Sequence, residues 1–134
     1  MQDGPSSSEM LTAIISLLSE RIMPKIDGHD SYALLVAINS LKTVQREVDN
    51  RQTFEAEELE RLRNLLGEDG DIDTLNKKLC EKIRDRDFTL EDKSVLEHLK
   101  RTTIDQVRLD QPRYSGLTYA LEQDECQTKA QPHP

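Results

Sequence analysis

The sequence predicts an all-α protein, a single-domain bundle of about five helices closed by a C-terminal turn and a polar tail. Three observations predict it. Apolar residues recur at the i, i+3, i+4, i+7 spacing of core-facing helices. Capping and stop residues sit where these periodic stretches begin and end. No alternating β-branched run or Asn-Gly hairpin signal interrupts them. The bundle is expected over residues 1–121, with residues 122–134 disordered.

The first helix is expected from about Ser7 to Met23. The string Ser6-Ser7-Ser8-Glu9 reads as a capping box, and Pro24 stops the helix. Leu11, Ile14, Ile15, Leu18 and Ile22 form its core stripe. Met10, Ala13 and Leu17 widen the apolar arc beyond that of an ordinary amphipathic helix, so either two neighbours cover it or part of it is an interface.

The segment from Lys25 to Asp30 is a loop around Gly28, with Asp30 or Ser31 available to cap the second helix. That helix is the most apolar stretch of the chain and the centre of the expected bundle. Leu34, Ala37, Ile38, Leu41, Val44 and Val48 face the core, and Asp49-Asn50 ends the helix. On its other side Tyr32, Leu35, Asn39, Lys42 and Arg46 form a second stripe. There Asn39 either hydrogen-bonds inside the bundle or joins a contact face.

Thr53 is expected to cap a third helix over Phe54 to Leu66, which buries Leu59, Leu62, Leu65 and Leu66 and stops at Gly67. A fourth runs from about Asp71 to Arg86 with Ile72, Leu75, Leu79 and Ile83 inward. Thr89-Leu90-Glu91-Asp92 opens the fifth, from about Leu90 to Leu109, with Val95, Leu96, Leu99, Thr103 and Val107 inward. Pro112 ends it, because the residue before a proline is pushed out of the helical region.

Composition narrows the function. Eighteen Lys and Arg against 26 Asp and Glu give a net charge of −8, with 33% charged residues and no Trp. Such a balance argues against nucleic acid, which needs a basic footprint, and against an anionic membrane surface. No apolar run approaches the ~20 residues of a membrane span. No secretory leader is visible, so a cytoplasmic location and two reduced thiols, Cys80 and Cys126, are expected.

Chemistry is sparse. Asp69, Asp71 and Asp73 resemble the opening of a calcium loop, but Thr74 stands where glycine is needed and Cys80 where a bidentate glutamate is needed. They read better as helix-capping carboxylates. His29, His98 and His133 have no partner at metal-ligand spacing, and no nucleophile motif or phosphate-cradling loop occurs. No catalytic residue, metal site or cofactor is therefore assigned. The remaining candidates are for binding a partner or ligand: Met10, Leu17, Tyr32, Asn39, Arg46, Asp110, Arg113 and Tyr114. The last three lie in a turn, Asp110 to Gly116, where Arg113 can grip an anion and Tyr114 offers a large amphipathic contact.

Four stretches carry a family resemblance: QDGPSSSEML, VAINSLKTVQRE, LLGEDGDIDTLNKKLCEKI and RLDQPRYSG, together spanning about Met1 to Gly116. With them the chain resembles a family of small bacterial proteins of unknown molecular function. Members are typically encoded beside a kinase of the aminoglycoside-phosphotransferase type and an acyl-CoA dehydrogenase-like protein. The resemblance implies a non-catalytic accessory subunit of that kinase, in catabolism of hydroxy acids through their CoA thioesters. It carries over no functional residue. The alternatives are a small phosphotransferase in its own right, with Arg113 as phosphate clamp, and a homodimeric structural protein that uses the first helix as its seam.

Overall fold

Local capping fixes where the first helix starts. The Ser6 backbone N–H donates to Glu9 Oε2 at 2.7 Å, and the Glu9 N–H donates to Ser6 Oγ at 3.2 Å, the reciprocal pair of a capping box. Two hydrogen bonds from Ser6 hold the Glu9 carboxyl below its usual range. The computed structural model describes residues 4–129, with side chains through Gln123. The Cys126 thiol and His133 lie outside the described residues, as does the end of the polar tail.

Five α-helices make up most of the described residues, and no strand occurs among them. Helix α1 spans Ser7–Ser16, loosens into a π-helical segment at Leu17–Ile22, and closes in a 3-10 turn at Met23–Lys25 that contains Pro24. Helix α2 spans His29–Leu66, α3 Ile72–Arg84, α4 Lys93–Asp110 and α5 Ser115–Lys129.

The expected break at Asp49-Asn50 is absent: α2 runs through it for 38 residues. Side chains that usually favour a turn here serve the helix instead. Asn50 Nδ2 donates back to the Arg46 carbonyl at 2.8 Å, and Arg51 pairs with Glu47 one turn earlier at 2.8 Å. With neither Gly nor Pro between them, nothing forces the chain out. Thr53 therefore lies inside a helix rather than capping one, and Asp30 sits in the first turn of α2 rather than at its cap.

Two compact units can be distinguished, Met1–Gln52 and Thr53–Pro134. The first is a hairpin of α1 and the opening half of α2. Gln45 Nε2 donates to Thr12 Oγ1 at 2.6 Å, and Ser31 Oγ lies 3.7 Å from Met23 Sδ, so the two helices run antiparallel. Ile38 is the one apolar side chain buried here among the described residues. Leu11, Ile15, Leu18, Leu34 and Leu41 are half-buried. Ile14, Val44 and Val48, expected in the core, are about half exposed, because two helices can cover only one side of each other.

The second unit holds the larger core. Leu62 of α2, Leu75 and Leu79 of α3 and Val95 of α4 are buried together, with Leu59, Leu66, Ile72 and Phe88 packed around them. Each such side chain contributes about 1.5–3 kcal/mol by leaving water. Gly67 ends α2 at φ +67, a left-handed conformation that favours glycine, and its N–H donates to the Arg63 carbonyl at 2.9 Å. Asp71 then caps α3 by accepting from the Thr74 N–H at 2.9 Å, so the acidic turn is spent on capping. Asp92 Oδ2 accepts from the Thr89 N–H at 2.6 Å and ties the loop before α4, which starts at Lys93 rather than Leu90.

Helix α4 presents a different face from the expected one. Leu96 and Leu99 are about 40% exposed and Thr103 is exposed, whereas Val95, His98, Ile104, Asp105 and Leu109 are buried. Finally, the stretch from Glu122, expected to be disordered, continues α5 as helix to Lys129.

Candidate functional site

Three features stand out from the packing: a buried polar layer, an open groove and the turn between α4 and α5. The polar layer lies in the second unit. Val95, His98, Thr102, Asp105 and Leu109 alternate at spacings of three and four, the repeat of a helix seam facing a neighbour. The middle of that seam is polar. His98 is 3% exposed and Asp105 5% exposed. Facing them from α2 is Arg61, which donates to Thr102 Oγ1 at 3.4 Å and stands 3.8 Å from Asp105 Oδ2. Arg101 approaches the other carboxylate oxygen at 4.0 Å.

These are long ion pairs. Both Asp105 oxygens, Arg61 Nε and His98 Nδ1 are buried without a hydrogen-bond partner. Burial pushes the Asp105 carboxyl above its usual 3.8, Arg101 and Arg61 pull it back, and Glu57 adds to the rise. Burial likewise holds His98 below its usual 6.5, helped by the Arg61 charge and opposed by Glu58. His98 is thus kept as neutral imidazole, with Glu58 itself engaged by Asn76 Nδ2 at 2.9 Å.

The composition of the seam is legible only in part. The expected inward stripe begins correctly at the buried Val95 but continues through Leu96, Leu99, Thr103 and Val107, and so turns the rest of α4 by about a third of a turn. The signal that could have found the layer is the seven-residue step from His98 to Asp105, in register with Val95 and Leu109. Arg61, set among Leu59, Leu62 and Leu65, marks the matching position on α2.

The groove is open and apolar, with a volume of about 600 Å³. Ile83, Phe88, Leu90, Leu96 and Leu99 line it together with Arg86 and Glu91. Leu90 is 83% exposed. Arg86, beside it, holds a left-handed φ of +63, unusual for a residue with a Cβ.

The expected binding residues are distributed over the molecule. In the first unit Met10 of α1 and Leu17 just beyond it are about half exposed, while Tyr32 and Asn39 are exposed on α2. Asn39 thus makes no buried bond inside a bundle; its carbonyl accepts from Thr43 Oγ1 at 3.2 Å. Arg46 is half-buried and donates to Thr43 Oγ1 at 2.9 Å. At 100° per residue Met10 and Leu17 follow one side of the hairpin, and Tyr32, Asn39 and Arg46 the other.

In the second unit, Asp110 ends α4 and its carboxylate accepts from Gln106 Nε2 at 2.7 Å. Gln111 to Tyr114 make the turn, closed by the Tyr114 N–H on the Gln111 carbonyl at 2.9 Å. Arg113 is exposed and Tyr114 half exposed, its ring laid over Gly116. A Cβ at position 116 would come 2.5 Å from Tyr114 Cε1, so glycine there lets the ring lie flat on the start of α5.

Among the described residues no three His, Cys, Asp or Glu side chains converge on a metal-sized site. No described helix is long and apolar enough to cross a membrane. No curated protein and no solved structure matches the chain. A family profile does match, over residues 24–114, which takes in α2, α3, α4 and the turn up to Tyr114 and leaves α1 and α5 outside. That span is well over half the chain, and the protein belongs to the family described as Domain of unknown function (DUF6285).

Proposed function

We propose that the protein is a non-catalytic accessory subunit, and that it works by docking a partner rather than by turning over a substrate. One observation carries this reading. The chain has three Tyr and no Trp, and all three tyrosines face solvent: Tyr32 is 67%, Tyr114 56% and Tyr119 66% exposed. Large aromatic side chains supply much of a core when one is built from them, and much of the binding energy when left at a surface. Two of the three, Tyr114 and Tyr119, lie in the turn before α5 and in the first part of α5, and Arg113 is exposed in the same turn.

The partner we propose is a kinase of the aminoglycoside-phosphotransferase type that acts on hydroxyacyl-CoA esters. Support for the kinase comes from the family resemblance in the sequence. The test is reconstitution. The kinase is assayed for ATP-dependent phosphorylation of a 4-hydroxyacyl-CoA with and without this protein. Activity is expected only with both chains, and is expected to fall with Arg113→Ala or Tyr114→Ala while the helical circular dichroism is kept. Full activity from the kinase alone overturns the reading.

A second reading, self-association, is favoured by a different observation: the apolar face of the hairpin.

A further inference from the structure

The hairpin of the first unit is half of a larger structure. Its two helices bury one apolar side chain fully, Ile38, and leave a row of others outside. On α1 and its π-helical extension these are Met10, Ile14 and Leu17; on α2 Tyr32, Leu35 and Val36 are exposed, and so is a second trio, Ala37, Val44 and Val48. At 100° per residue each trio runs as one line along its helix. The half-buried Leu11, Ile15 and Leu18 of the first arm, and Leu34, Ile38 and Leu41 of α2, mark the seam where the helices meet. With the helices antiparallel, both exposed lines fall on the same side of that seam. Tyr32, Asn39 and the exposed Leu35 fall on the other side.

This face has the properties of a bundle core cut open. Apart from Ala37, its side chains are each 44–48% exposed, a level that leaves one flank in the hairpin and one uncovered. No ionisable residue interrupts the lines from Met10 to Leu17 or from Ala37 to Val48 on that side. Its exposed area is roughly 500 Å², most of the ~800 Å² that each partner buries in a standard stable interface, and rim residues such as Ala13 and Ser40 extend it. Residues 1–52 hold seven acidic and five basic side chains, a net −2 of the chain's −8, so the repulsion between two copies of this unit is small.

We propose that a second copy of this chain covers the face, through a two-fold axis, so that two hairpins close into a four-helix bundle. A two-fold interface uses the same patch on both partners, which a single contiguous apolar face satisfies. Four antiparallel helices are the smallest common arrangement that buries two faces on each helix. This deepens the self-association reading and is independent of the kinase.

The test is the mass of the full chain by light scattering at micromolar concentration. Twice 15.4 kDa is expected. Ile14→Glu and Val44→Glu place an unpaired charge at the centre of the seam and are expected to weaken the dimer by roughly a hundredfold or more. Met10→Lys, near the open end of α1, is a milder variant that keeps the comparison valid if the central ones unfold; it is expected to shift the mass in the same direction. Leu90→Lys, in the groove of the second unit, is expected to leave the dimer intact. A monomer mass for the unmodified chain overturns the proposal. So does a dimer that survives all three face variants or that is dissolved by Leu90→Lys. Failure here is distinct from failure of the kinase reading, because mass and kinase activation are separate readouts.

Discussion

The two units of this chain solve the same problem with different means. In Thr53–Pro134 three helices surround Leu62, Leu75, Leu79 and Val95, so apolar surface is hidden within one chain. In Met1–Gln52 two helices hide Ile38 and leave the neighbouring apolar side chains half outside. Periodicity alone therefore does not tell a core stripe from an exposed one. Leu34, Ile38 and Leu41 share a pattern with Val44 and Val48, yet only the first three lie towards the other helix. What separates them is the number of neighbours, and that is a property of the fold.

The largest loss is expected from hollowing the better core. Leu75→Ala removes a fully buried side chain and is expected to cost about 3–5 kcal/mol, read as a lower midpoint in chemical denaturation. The same truncation at Ile38 is expected to cost less, about 2 kcal/mol, because its surroundings are already half open. An equal cost at the two sites would erase the contrast between the units. Next in size is a proline in α2. Asn50→Pro removes a backbone donor in the helix interior and the back-bond to Arg46, and about 3 kcal/mol is expected to be lost with a drop in helical circular dichroism. If instead the segment behaves as a turn, this variant will be nearly silent.

A smaller effect comes from the start of the first unit. Ser6→Ala deletes the hydroxyl that caps α1, and about 1 kcal/mol is expected to go, measured as the loss of hydrogen-exchange protection in that helix. The finest effect is a slope with pH. Native His98 is held below 6.5, so the unfolded chain takes up its proton first, and stability is expected to fall as pH drops through 6.5. Asp105 works in the opposite direction. Its carboxyl is raised above 3.8, so its buried charge is a cost at neutral pH, relieved as pH falls through its raised value. His98→Leu is expected to remove the first limb and keep the second. Denaturation midpoints at pH 7 and 5.5 measure the difference.

Much of the fold is legible wherever a local rule has a local cause. Ser6 with Glu9, Asp71 with Thr74, and Gly67 at the end of α2 each cap where the sequence says they should. Local rules fail where distant or competing partners decide. Asp49-Asn50 carries a turn signal, but the bond from Asn50 to Arg46 and the pairing of Arg51 with Glu47 satisfy those residues within the helix. On α4 the apolar residues outnumber the polar ones on the wrong face, so counting favours Leu96 and Leu99 over His98 and Asp105. Beyond Glu122 the polar composition predicts disorder, yet it contains no helix breaker before Lys129. Of the binding candidates, Arg113 and Tyr114 are singled out because a cation and an aromatic share a turn, and both side chains are exposed there. The polar layer is not, since its meaning depends on Arg61, more than thirty residues away.

That layer has a consequence for uniqueness rather than for strength. Leucine meeting leucine tolerates sliding, because one apolar contact resembles the next. Asp105 meeting Arg61 does not. If α4 slipped by one turn along α2, a buried carboxylate would leave its guanidinium and face aliphatic carbon instead, a cost that an all-leucine seam does not carry. The Arg61, His98 and Asp105 layer thus works as a registration key. It gives up some of the stability an all-leucine seam would hold, and in return it favours the alignment of α2 and α4 that keeps Arg61 beside Asp105.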